Sequence, residues 1–158
     1  MRNLAVLLVE ILAITSFSFW AVAIEGSNVG KLDTYNYNGI SANFLILYVT
    51  MPLFLLVAVI AKGFDSKFIG TLIIGALIGG ILQDFTWFVI NPAFGIQNFN
   101  SKITWTGAAW IKWINFGVFE VPNFYVYDLI LILPVWFVFI KNYRAVDGFY
   151  KTIFRKNQ

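Results

Sequence analysis

At 158 residues the chain is one domain by length, and it is 59% hydrophobic, 19% aromatic and only 12% charged, where a soluble domain carries about 25% charged residues. It has neither Cys nor His, which excludes disulfides, thiol nucleophiles, structural zinc, Cys-ligated clusters, His-ligated haem and histidine acid–base catalysis within the chain. No cofactor is expected, and the placement of the formal +3 charge matters more than its size.

The first apolar run covers residues 4–24, long enough to cross the ~30 Å of bilayer hydrocarbon as a helix. Arg2, the apolar run and Ala21-Val22-Ala23 also resemble a signal peptide with an A-x-A-like site. Glu10 interrupts that h-region and bulky Phe17, Phe19 and Trp20 crowd the site, so an uncleaved span is the expectation. Glu10 is expected to snorkel toward the nearby boundary. Residues 25–40 are polar and rich in Gly and Asn.

A second run covers 41–61 and a third 68–90, joined by a six-residue turn at 62–67, so the two should form a tight hairpin. In the third, Gly75 and Gly79 form a G-x-x-x-G, and Ala76 and Gly80 make a second small pair one residue on. Small residues let another helix approach closely in lipid. This span is therefore expected to be the central packing helix. Pro52 and Pro134 each remove a helix hydrogen bond and free the carbonyl four residues earlier, at Tyr48 and Ile130.

The loop at 91–120 is long and aromatic. Residues 106–115 place Trp110, Trp113 and Ile114 at i, i+3 and i+4, which predicts a short interfacial helix, with Trp105 beside it at the membrane surface. The fourth run covers 121–140. The tail sets Val146, Phe149, Tyr150 and Ile153 at i, i+3, i+4 and i+7, among Arg144, Lys151, Arg155 and Lys156. That is a basic amphipathic helix suited to an anionic leaflet. One short tethered tail gives too little basic surface for nucleic acid.

The expected fold is therefore all-α: one membrane domain over 1–158, a four-transmembrane-helix bundle with a short outer interfacial helix and a basic amphipathic C-terminal helix. With four spans, Arg2, Lys62, Lys67, Lys141, Arg144, Lys151, Arg155 and Lys156 share one side, against Lys31, Lys102 and Lys112 on the other. Eight against three predicts a multi-pass protein of the cell membrane with both termini cytoplasmic.

No Lys or Arg lies inside an apolar run, but two aspartates do. Asp84 and Asp128 each fall roughly 9–10 Å below the outer edge, at ~1.5 Å per residue, and Tyr48 lies at a similar depth. Gly80, Asp84, Trp87 and Asn91 follow a 4-3-4 spacing, one stripe of a helix. Tyr125 and Asp128 are three apart and share a face. An intramembrane Asp costs ~2.5–3.5 kcal/mol on insertion scales. Three compensations are open: a protonated carboxyl that donates a hydrogen bond, two acids sharing a proton or cation, or a basic residue from another subunit. The plain alternative is local capping or bonding to Tyr and Asn without any ligand. Gln83, beside Asp84, completes the candidate polar set.

The stretch Gln83-Asp84-Phe-Thr-Trp87-Phe88-Val-Ile-Asn91-Pro92-Ala-Phe94-Gly95 resembles a pattern found in uncharacterised small polytopic membrane proteins. In these an acidic pair or Gln-Asp precedes Trp-Phe and Asn-Pro, followed by a Trp-rich loop and Pro and Tyr before the last span; Trp105, Pro122 and Tyr125 fill those places. The resemblance spans residues 80–128 and implies no set activity. The pattern includes a His after the loop tryptophans, where this chain has Thr106; that departure weakens any inherited metal role.

Three functions are weighed on these grounds. The first is a non-catalytic membrane subunit or scaffold of a larger complex, its partners being the bilayer and other subunits or further copies of itself. The second is a small proton- or cation-binding transport component built on Asp84 and Asp128. A lipid-modifying enzyme ranks last, because the sequence offers no nucleophile–base pair and no phosphate-binding Gly loop.

Overall fold

The computed structural model describes residues 2–25, 36–37, 40–41, 51–92, 95–102 and 112–154. Within them the chain is mostly helical. Three helical stretches are long and apolar enough to cross a membrane: Asn3–Ile24, Ser66–Ile90 and Asn123–Lys141.

Helix α1 (Arg2–Glu25) is followed by a small antiparallel pair, β1 (Asn36–Tyr37) and β2 (Ile40–Ser41). Helix α2 (Met51–Lys62) then leads through three residues into α3 (Ser66–Ile90). Twelve residues of α2 span about 18 Å, less than a bilayer's ~30 Å. Ser41, expected to open the second span, stands in a strand instead. The remainder of that expected span, with Tyr48, lies outside the described residues.

Helix α3 starts where the sequence supplies acceptors for its free N–H groups. The Asp65 carboxylate accepts from Phe68 N at 3.0 Å, and Asp147, from the far end of the chain, accepts from Ser66 N at 3.1 Å. It stops at Asn91, before Pro92, because a residue preceding proline is driven out of helical geometry.

Strands β3 (Trp113–Asn115) and β4 (Glu120–Pro122) form an antiparallel hairpin in which Trp113 faces Pro122, Ile114 faces Val121 and Asn115 faces Glu120. This corrects the interfacial helix expected over 106–115, at least from Trp113 onward. Trp105 and Trp110 lie outside the described residues. The helical spacing of Trp110, Trp113 and Ile114 masks a turn signal three residues later. Gly117 takes a φ of 88°, which costs glycine nothing, and Asn115 Oδ1 accepts its N–H at 2.6 Å. Helix α4 (Asn123–Val135) consequently begins after Pro122 rather than at residue 121. Pro134 sits within it, and the helix continues in π register over Trp136–Lys141. Loss of the Pro134 N–H is the local disturbance that such a register change accommodates. Helix α5 (Tyr143–Phe154) closes the described chain, as the amphipathic tail predicts.

The packing centres on α3. Glu10 meets Gly75, Ile14 meets Gly79 and Ser18 meets Gln83, so α1 runs parallel to α3 in steps of four on both helices. On the other side Asp84 meets Tyr125 and Gly70 meets Phe139 and Ile140, so α4 runs antiparallel. Gly75 and Asp84 are nine residues apart, which at roughly 100° per residue puts them on opposite faces. The α1 and α4 contacts thus fall on opposite sides of one central helix, as its small residues predict.

Candidate functional site

The α1 side of α3 is built on close approach. A Cβ at Gly75 would collide with the Glu10 carboxyl, and one at Gly79 would lie 2.9 Å from Ile14 Cβ. Those glycines are what lets the helices touch. Ser18 is fully buried there and donates its hydroxyl to the Gln83 carbonyl. Gln83 is therefore buried toward α1, although its neighbour Asp84 points the other way. Gly80 is different. A Cβ at that position would meet nothing within 4 Å among the described residues, so no close contact involves the second small pair at Gly80 among them, and Ala76 is only half-buried.

Glu10 does not snorkel. It is buried against α3, and neither carboxyl oxygen has a hydrogen-bond partner among the described residues. The missing glycine side chain opposite it, at Gly75, creates the space that draws the carboxyl inward. The depth of Glu10 in the first span was legible. Its direction was not, because α1 is apolar on every side and its sequence marks no inward face.

On the α4 side Tyr125 donates its hydroxyl to Asp84 Oδ2 at 2.7 Å. Tyr125 is buried and Asp84 half-buried. Three positions later on the same helix, Asp128 is half-buried, and among the described residues it has no hydrogen bond. The structure therefore joins Asp84 to Tyr125 and does not join Asp84 to Asp128. Asn91 is buried at the end of α3, where its N–H donates to the Trp87 carbonyl at 3.0 Å and its own carbonyl accepts from Gly95 at 3.1 Å.

Above this pair sits Phe99, which sequence reasoning overlooked. Its ring lies 4.9 Å from Phe88, 5.1 Å from Trp113, 5.5 Å from Phe85 and 6.0 Å from Tyr125, the first three edge-on. Edge-to-face contacts of this kind contribute about 0.5–1.5 kcal/mol beyond burial. Phe99 thus pins the β3–β4 hairpin over the C-terminal end of α3 and the N-terminal end of α4. The available signal was one aromatic within a polar run, Asn98-Phe99-Asn100.

Glu120 fastens the same hairpin to the preceding loop. Its carboxylate accepts from Ser101 N at 2.7 Å and from Asn115 Nδ2 at 3.0 Å. Hydrogen bonds from Ser101, with smaller help from Asn115 and Lys102, hold this carboxyl below the usual glutamate range.

At the opposite end lie the basic residues. Lys62 pairs with Asp65, and Lys67 sits 3.8 Å from the centre of the Tyr143 ring. Lys151 is exposed on α5, whereas Arg155 and Lys156 lie outside the described residues. Among the described residues no three Asp or Glu side chains converge as a metal site. No family model, curated protein or solved structure matches this chain.

Proposed function

We propose that this is an integral membrane protein of four spans that acts as a non-catalytic subunit or scaffold of a larger membrane complex. One observation carries the reading: three polar side chains between the helices join one helix to another. Ser18 donates to the Gln83 carbonyl, Tyr125 to Asp84, and Ser66 to the Tyr143 carbonyl at 3.2 Å. In lipid such bonds and small-residue contacts hold helices together. The outward faces are apolar, with Leu129, Leu133 and Phe137 of α4 all about half or more exposed. They suit acyl chains or the helices of another subunit. The basic end is assigned to the cytoplasm, on the charge bias.

The test is purification in mild detergent followed by mass measurement of the intact assembly. A second membrane protein, or a further copy of this chain, at fixed stoichiometry is the expected result. A lone monomer that retains its fold would sink the subunit reading.

A second reading, a proton- or cation-binding transport component, draws on the Glu10 carboxyl, buried at lipid depth with both oxygens unbonded among the described residues. Flux in reconstituted vesicles that is lost in both Glu10→Gln and Asp84→Asn would favour it over the scaffold.

A further inference from the structure

The end of the layer where α2 stops, α3 starts and α4 stops gathers Lys62, Lys67, Lys141, Arg144 and Lys151. Of the two carboxylates there, Asp65 is paired with Lys62, and Asp147 accepts the Ser66 N–H. Lys67 and Arg144 are left to converge on one ring. The Lys67 ammonium lies 3.8 Å and the Arg144 guanidinium carbon 5.7 Å from the Tyr143 centroid, and Arg144 Nε donates to the Tyr143 hydroxyl at 3.1 Å. Among the described residues neither cation has a carboxylate within salt-bridge distance. The hydrogen bond from Arg144, reinforced by the charges of Arg144 and Lys67, holds the Tyr143 phenol below its ordinary range.

Helix α5 is fixed beside this cluster at two points. Tyr150 stacks on Phe64 with centroids 3.9 Å apart, and Asp147 reaches the first N–H of α3. So held, α5, the helix that carries Arg144, leaves Phe149 and Phe154 69% and 61% exposed.

We propose that Lys67, Tyr143 and Arg144 form a binding site for the phosphate headgroup of an anionic phospholipid, with the exposed apolar residues of α5 meeting its acyl chains. Charge complementarity selects the occupant. Two un-neutralised cations on one ring suit a phosphate, a flanking apolar face suits lipid, and a zwitterionic headgroup would bring its own cation against Lys67. Asp147 opposes an anion, but its carboxylate is held by the Ser66 N–H. The inference rests on the membrane reading proposed above.

The experiment titrates the purified full-length protein in mild detergent with phosphatidylglycerol or phosphatidylcholine and counts bound lipids by native mass measurement. Preferential retention of phosphatidylglycerol is expected, collapsing as salt is raised. Each basic residue near an anionic surface contributes roughly fivefold, so Lys67→Gln with Arg144→Gln should weaken that retention about thirtyfold. Lys102→Gln, beyond the other end of α3, should leave it unchanged. Equal retention of the two lipids by the wild-type protein overturns the site without reference to any variant. Displacement of the lipid by inorganic phosphate alone would also overturn it, assigning the cluster to a free anion. Alkaline carbonate extraction separates the two levels. A chain released from membranes sinks the membrane reading and this site with it, whereas a retained chain without lipid preference sinks only the site.

Discussion

The two seams of α3 hold their neighbours by different means. Against α1 the helix presents Gly75 and Gly79, and the contact is mainly one of shape, with backbones close, Ile14 seated where a side chain would otherwise stand and one hydrogen bond from Ser18 to the Gln83 carbonyl beyond it. Against α4, near the C-terminal end of α3, it presents Asp84, and the contact there is a hydrogen bond to Tyr125 under the Phe99 ring, while Gly70 at the other end meets Phe139 and Ile140 closely. A shape-based seam has no tolerance for added volume. The hydrogen-bonded part of a seam tolerates volume nearby but depends on one donor and one acceptor, and a buried acceptor that loses its donor has no ready substitute.

The sharpest way to break this contrast is to add bulk on the α1 side. Gly79→Leu should separate α1 from α3, at a cost of about 1–3 kcal/mol or more from overpacking. A large fall in the detergent melting temperature, with loss of an engineered α1–α3 cross-link, would register it. Tyr125→Phe should cost less, about 0.6–2 kcal/mol, and loosen α4 while the α1–α3 cross-link still forms. If it releases α1 as well, the two seams are not independent.

A milder test lies outside both seams. The Glu120 carboxyl is held below its ordinary value by Ser101 and Asn115. Its contribution is therefore full above the unfolded-state value of about 4.3 and is lost as pH falls through the lower folded value. Trp113 emission should stay constant from neutral pH down to the ordinary glutamate range and change only below it. Glu120→Gln should abolish that acid transition. The smallest effect belongs to Gly80→Ala. Open space at that position among the described residues predicts no loss, and the gain in helix propensity is at most ~1 kcal/mol. A Gly80→Ala protein as damaged as Gly79→Leu would mean that volume is resisted all round α3.

The apolar helices were legible from run length, and the centrality of α3 from its small residues, because both depend on composition within one segment. Asp84 was marked by its cost in lipid, and Tyr125 by sharing a helix face with Asp128. Pairing across helices was less legible. Asp84 bonds Tyr125 and not Asp128, a choice made by the rotation of α4 that an all-round apolar helix does not encode. Glu10 turned inward for the same reason. The hairpin at Trp113–Pro122 was hidden because three apolar residues at helical spacing outweighed one glycine whose positive φ makes the turn.

The start of α3 carries a consequence for how the chain is made. Ser66 N–H is satisfied by Asp147, 81 residues downstream. At the ribosome's pace of about 5–20 residues per second, that acceptor is synthesised roughly 4–16 s after its donor. During the interval Asp65 alone caps the helix, and the Ser66 hydroxyl also waits for the Tyr143 carbonyl. The two ends of the fold therefore close last and together. A nascent chain truncated before residue 143 carries all three long apolar helices of the described residues yet lacks this clasp at the basic end of the molecule.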